Sequence, residues 1–191
     1  MISKLSTTIS DWLVRANVIE DDDKELYEFA AYSFIFGLLP AFLTIIYGLI
    51  MGLIIEGVLM IVPFMLIRKF SGGYHLKSPT ICVFVSSVII IVALITIKAL
   101  LKANTFLMLS VVELASTIII YFLSPIDSDE RELSPAEARV FKKIARTLAT
   151  IFSIVFFILV ANNNYSCAIP IGIGSILPAV LQIPCILFKK K

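Results

Sequence analysis

Phe29 to Ile67 reads FAAYSFIFGLLPAFLTIIYGLIMGLIIEGVLMIVPFMLI, thirty-nine residues in which Glu56 is the only charged side chain. One helical crossing of a bilayer needs about 20 apolar residues, so this stretch holds two crossings and a tight turn between them. Tyr47-Gly48-Leu49-Ile50-Met51-Gly52 supplies the turn, and 29–67 is therefore expected to be a helical hairpin. The rest of the chain agrees. Apolar residues make up 59% of the 191 positions and charged residues only 16%, with a mean hydropathy of +1.00. Such a chain cannot cover its apolar surface in water. The expected fold is an all-α polytopic membrane protein, a single integral membrane domain over 1–191 with about six transmembrane helices.

Working outward, residues 1–20 carry Ile2, Leu5, Ile9, Trp12, Leu13 and Ala16 at helical spacing, with Lys4, Ser6, Thr7 and Asp11 between them. There is no unbroken apolar run and no cleavage site of the kind a signal peptide needs. The pattern predicts an amphipathic helix on the membrane surface; a conventional packed helix is the alternative. Asp22 with Glu25 is placed to cap the helix that follows. After the hairpin comes a polar loop over 68–80. Spans three and four fill 79–123, a third span to Ile97, a loop at Lys98 to Asn104 and a fourth span from Thr105. The polar segment 124–146 contains Ser134-Pro135-Ala136-Glu137, a capping box with proline at the first helical position, which predicts a helix start there. Spans five and six occupy 147–188, where Pro170, Pro178 and Pro184 are able to kink or split the last.

Charge orients this layout. The N-terminal segment, the 68–80 loop, the 124–146 loop and the tail together hold fourteen of the sixteen Lys and Arg residues, leaving Lys98 and Lys102 on the other side. Basic loops face the cytoplasm, so both termini and the 68–80 loop are expected there. The basic run Arg139 to Arg146 reads first as such an anchor, and second as a contact for anionic lipid. A net charge of +2 without basic–aromatic interleaving gives no sign of a nucleic-acid partner. Glu56 and Glu113 lie inside predicted spans, where an ionisable group is costly and marks a pairing or a functional site; Lys98 and Lys102 are candidate partners.

The stretch Arg68-Lys69-Phe70-Ser71-Gly72-Gly73-Tyr74-His75-Leu76-Lys77-Ser78-Pro79-Thr80, followed by Cys82, concentrates the reactive groups and the chain's only histidine. Gly72-Gly73 permits a turn closed to other residues. Ser78-Pro79 reads as the cap and first residue of the third span, which puts Cys82 in its first turn, where the helix dipole favours the thiolate. The spacing matters: seven positions within one helix would separate the two groups by about 10 Å of rise. A helix beginning at Pro79 leaves His75 in the loop, free to fold back and act as general base to a Cys82 nucleophile. Taken singly, a loop histidine is usually a solvated surface group and a cysteine in a span an apolar filler. Three cysteines show no metal-type spacing, and a closed zinc site needs more ligands than one His and one thiol. Cys82 and Cys185 fall on one side of the layout and Cys167 on the other, so no structural disulfide is expected, Cys82–Cys185 being the one pairing the layout leaves open.

Arg68-x-x-x-Gly72-Gly73-x-His75-x6-Cys82 resembles the signature of the accessory gene regulator B (AgrB) family, membrane cysteine endopeptidases of Gram-positive quorum sensing. The length, the amphipathic start, the six-span layout and Pro125-Ile126-Asp127 after the fourth span are similar too. After Asp127, Ser128-Asp129-Glu130-Arg131-Glu132-Leu133 departs from the Asn-Lys-Pro pattern of many members, a difference that bears on substrate identity. The resemblance implies catalysis by His75 and Cys82, with Arg68, Gly72 and Gly73 holding substrate or supporting the oxyanion. It implies cleavage of an AgrD-like precursor peptide through a thioester, capture of that thioester by a Cys or Ser of the peptide to close a ring, and a homodimer in the membrane. Thioester exchange is nearly balanced in bond energy, so no ATP site is needed, and no phosphate-binding loop is present; no cofactor is expected. A small transporter whose path is lined by Glu56 and Glu113 is the rival reading.

Overall fold

The computed structural model describes residues 2–72, 79–103, 106–126 and 134–188. These form seven α-helices: α1 (Ile2–Arg15), α2 (Lys24–Met51), α3 (Ile54–Ser71), α4 (Pro79–Ala103), α5 (Phe106–Leu123), α6 (Pro135–Ala161) and α7 (Tyr165–Phe188). Among the described residues there is no β-strand, as an all-α membrane protein requires. Five helices (α2, α4, α5, α6 and α7) are long and apolar enough to cross a bilayer. The remaining long helix, α3, has eighteen residues and carries Glu56, Arg68 and Lys69.

The chain divides into two compact units, 1–43 and 44–191. In the first, Lys24 Nζ pairs with Asp11 Oδ1 at 2.7 Å, and the Thr7 hydroxyl donates to Glu28 Oε1 at 2.6 Å. The buried residues of α1 are Ser6 and Ser10, while Leu5 and Trp12 are exposed. That arrangement is the reverse of a helix packed through its apolar stripe and fits one whose apolar face meets lipid. Entry into α2 differs from the expected cap. Asp21–Asp23 form a 3-10 turn without any side-chain cap bond, running directly into Lys24. Consecutive acidic residues here extend the helix by a tight turn rather than folding back on it.

In the second unit the hairpin turn falls where the glycines predict it. Gly52 adopts φ +67° between α2 and α3, and a Cβ on Gly48 would stand 3.1 Å from the Leu53 carbonyl oxygen. Ser134 caps α6 as its sequence implies: its hydroxyl accepts from the Glu137 N–H, and Glu137 Oε2 accepts from the Ser134 N–H at 3.0 Å. Two boundaries move. The helix α4 continues to Ala103, so Lys98 and Lys102 belong to its final turns and not to a loop. Lysine is a good helix former and its long stem reaches water from a helix end. The last helix is not split, since Pro170, Pro178 and Pro184 all lie within one continuous α7.

Helix α7 is the centre of this unit. It packs against α3, α4, α5 and α6, and 61% of its most apolar window is buried, against 22% in each of α4, α5 and α6. Small residues make the contacts close, as membrane helices require in the absence of a hydrophobic drive between them. A Cβ on Gly174 would collide with the Met60 carbonyl oxygen and stand 2.7 Å from Pro63 Cγ, and one on Gly172 would stand 2.8 Å from the Phe156 ring. Ile67, Ile120, Ala149 and Ala179 form a buried cluster joining α3, α5, α6 and α7. Gly174→Ala should therefore force α3 and α7 apart and destabilise the detergent-solubilised protein by roughly 1–3 kcal/mol, read as a lower thermal midpoint. Gly37→Ala, where a Cβ meets nothing within 4 Å, should leave the midpoint unchanged or raise it.

Candidate active site

The 68–80 segment is less of a loop than its polarity implies. Nothing in Arg68-Lys69-Phe70-Ser71 breaks a helix, and α3 continues through Ser71. Gly72 stops it with φ +70°, a left-handed conformation that glycine adopts at no steric cost. Space makes a second demand for glycine, because a Cβ here would run into the Ile126 carbonyl oxygen. At the other end α4 begins at Pro79, as predicted, with Cys82 in its first turn. Gly73 and His75 lie outside the described residues.

Close approach at Gly72 builds a junction between three helix ends. The Ile126 N–H donates to the Ser71 carbonyl at 3.1 Å, giving an isolated parallel bridge between Gly72 and Ile126. The same carbonyl accepts from Gln182 Nε2 at 2.9 Å, and that nitrogen also donates to Ser124 Oγ at 2.8 Å. Gln182, on α7, is fully buried. Its amide therefore ties the end of α3 and the exit from α5 to the central helix.

Arg68 stands one turn before this junction and donates from Nη1 to the Gly72 carbonyl at 2.6 Å. Its guanidinium also interacts electrostatically with the thiols of Cys82 and Cys185. Cys185 is one turn beyond Gln182 on α7. All three cysteines are free thiols and partly buried. The structure thus brings Arg68, Gly72 and Cys82 to one end of the bundle.

One residue of this cluster escaped the sequence reading. Gln182 is the only glutamine in the chain and sits within an apolar run; a polar amide in such a helix usually reaches across to another. Cys185 falls on the same side as Cys82 in the sequence layout, and in the structure both are free thiols. Glu56 and Glu113 do not pair with Lys98 or Lys102 as anticipated. Glu113 is fully buried on α5, and neither of its oxygens has a hydrogen-bond partner among the described residues. Among the described residues no cluster of three or more His, Cys, Asp or Glu is able to hold a metal ion.

The helices and the junction at their ends define a polytopic α-helical membrane protein with a thiol, a guanidinium and a glycine-terminated arm at one end. Residues 6–184 match the family model described as Accessory gene regulator B, and the chain belongs to that family. The family processes autoinducing peptides and is associated with an AgrD-like precursor. AgrB-like protein 2 of Clostridium perfringens strain 13 is 23% identical over 195 residues, covering 95% of this chain and 89% of the relative. An AgrB-like protein of strain SM101 of the same species shows the same identity and coverage. No solved structure matches.

The junction depends on one side chain more than any other. Gln182→Leu removes both amide donors and leaves the Ser71 carbonyl with Ile126 alone. It should cost about 1–3 kcal/mol and raise amide hydrogen exchange at Gly72 and Ile126, while the middle of α6 stays protected.

Proposed function

We propose that this chain is a membrane cysteine endopeptidase that removes the C-terminal tail of a small signal-peptide precursor and promotes its cyclisation to a thiolactone or lactone. The observation that supports this most is the gathering of Arg68, Gly72 and Cys82 at one end of the bundle. In the reading, the thiol of Cys82 loses its proton to His75 and attacks the scissile carbonyl. His75 then protonates the leaving amine, and the released tail departs from a thioester on Cys82. A Cys or Ser side chain within the peptide attacks that thioester, closing the ring and returning the thiol. Each step exchanges one acyl bond for another, so no nucleotide is consumed.

Arg68 has two tasks in this reading. Its bond to the Gly72 carbonyl fixes the base of the His75 arm. Its charge, close to Cys82, steadies the thiolate and the developing oxyanion or pairs with a carboxylate of the substrate. Gly72 and Gly73 are assigned by the motif to substrate or oxyanion support. The active form proposed is a homodimer in the cell membrane, with both termini and the site on the cytoplasmic face.

The reading is tested with purified protein reconstituted in vesicles together with the precursor encoded beside it. Cys82→Ala and His75→Ala should each abolish cleavage and the trapped thioester, and Arg68→Gln should slow cleavage roughly 10²–10³-fold. Glu113→Gln should leave cleavage intact. The unpartnered Glu113 carboxyl is what favours a transport role, and intact cleavage in Cys82→Ala together with loss of export in Glu113→Gln would establish that role instead.

Orientation has its own test. A membrane-impermeant maleimide added outside intact cells should label Cys167 and spare Cys82 and Cys185. Labelling of Cys82 from outside would invert the proposed topology.

A further inference from the structure

Away from the thiols, one face of α6 carries Arg139, Lys142, Lys143 and Arg146 at positions i, i+3, i+4 and i+7, which align on a helix. The buried face, through Ala145, Ala149, Ser153 and Phe156, lies about a quarter-turn away round the helix. The basic face borders a cleft of about 460 Å³ between α5 and α6, closed on the α5 side by Tyr121 and running down to Thr147, Thr150 and Ile151. No described acidic side chain lines it. One of its cations is fixed in place: Arg146 Nε donates to the Tyr121 carbonyl at 2.8 Å, and its guanidinium carbon stands 4.1 Å from the centre of the Tyr121 ring. Binding an anion there requires little further ordering of that side chain.

A second groove of about 510 Å³ continues from Thr150 along the same two helices, lined mainly by Leu114, Ile154, Phe157 and Ile158 and ending at Ala161. Leu114, Ile154 and Ile158 are exposed, so this groove opens sideways, where a membrane protein meets lipid. Thr150 belongs to both cavities. From Thr150 to Ala161 the helix rises about 16 Å, close to half of a bilayer's ~30 Å hydrocarbon core, the depth of one leaflet.

We propose that the cleft and the groove are two halves of one site for a phospholipid with an anionic headgroup. The phosphate lies among Lys142, Lys143 and Arg146, and one acyl chain lies along the α5–α6 groove. Charge complementarity selects the headgroup, and the apolar groove of one-leaflet depth selects a lipid over a free anion. An acidic peptide would satisfy the cations and leave the groove empty.

The full chain is purified in detergent and offered equimolar palmitoyl-oleoyl phosphatidylglycerol and phosphatidylcholine, with retained lipid counted by native mass spectrometry. Wild type should retain phosphatidylglycerol at least fivefold over phosphatidylcholine. Each basic residue near a membrane surface contributes roughly fivefold in affinity for anionic lipid, so Lys142→Gln with Lys143→Gln should erase the preference. Thr150→Trp, which plugs the groove, should reduce retention of both lipids. Lys98→Gln with Lys102→Gln, at the far end of α4, should change nothing, and circular dichroism confirms equal helicity in every variant.

Equal retention of the two lipids by wild type, or a preference that survives in Lys142→Gln with Lys143→Gln, overturns the proposal. So does displacement of phosphatidylglycerol by millimolar inorganic phosphate with Thr150→Trp behaving as wild type, which makes the cleft a free-anion site. Binding of an acidic decapeptide with no lipid retained assigns it to a peptide and overturns the proposal equally. None of these readouts requires peptidase activity.

Discussion

One carbonyl oxygen organises the end of this bundle where Arg68 and Cys82 lie. Ser71 closes a helix at the margin of an apolar phase, where an unpaired carbonyl is costly because water is scarce. It finds two donors, the Ile126 backbone and the Gln182 amide. Each comes from a different part of the chain, so satisfying one acceptor also fixes the relative heights of α3, α5 and α7. The glycine at position 72 is what lets the Ile126 backbone come close enough to donate. Arg68 then holds the next carbonyl along, and the chain leaves toward His75 from a fixed base.

This arrangement separates two functions usually combined in a soluble active site. Rigidity comes from α7, buried and tightly packed through Gly172 and Gly174, and it carries no residue of the recognised motif. Chemistry is assigned, in the reading proposed above, to groups on the ends of α3 and α4. Gln182 links the two, at a distance of 111 residues from the carbonyl it serves. A buried hydrogen bond of that kind positions reactive groups without entering the reaction.

The features legible in the sequence were the local ones. Ser134 and Glu137 form their reciprocal cap because the partners are three residues apart, and Gly52 and Pro79 mark a turn and a helix start by backbone preference alone. Hydropathy was enough for the long helices and the all-α class. Sequence and structure part where polarity does not break a helix: Lys98 and Lys102 remain helical, as do Arg68 to Ser71, because charged residues end membrane spans without ending helices. The candidate site was half legible. Arg68, Gly72 and Cys82 stand close in sequence and the charge-oriented layout puts Cys185 on their side, whereas Gln182 joins them only through packing that no local pattern encodes.

The uneven packing of the helices has a mechanical consequence. Helices α3 and α7 meet backbone to backbone at Gly174, leaving no slack for one to slide on the other, whereas α4 packs far less extensively on either of them. The guanidinium of Arg68 and the thiol of Cys82 thus ride on bodies of unequal stiffness. The charge is thereby held to the tightly packed core and the thiol to a less tightly held neighbour, a difference in compliance between the two sides of the proposed site.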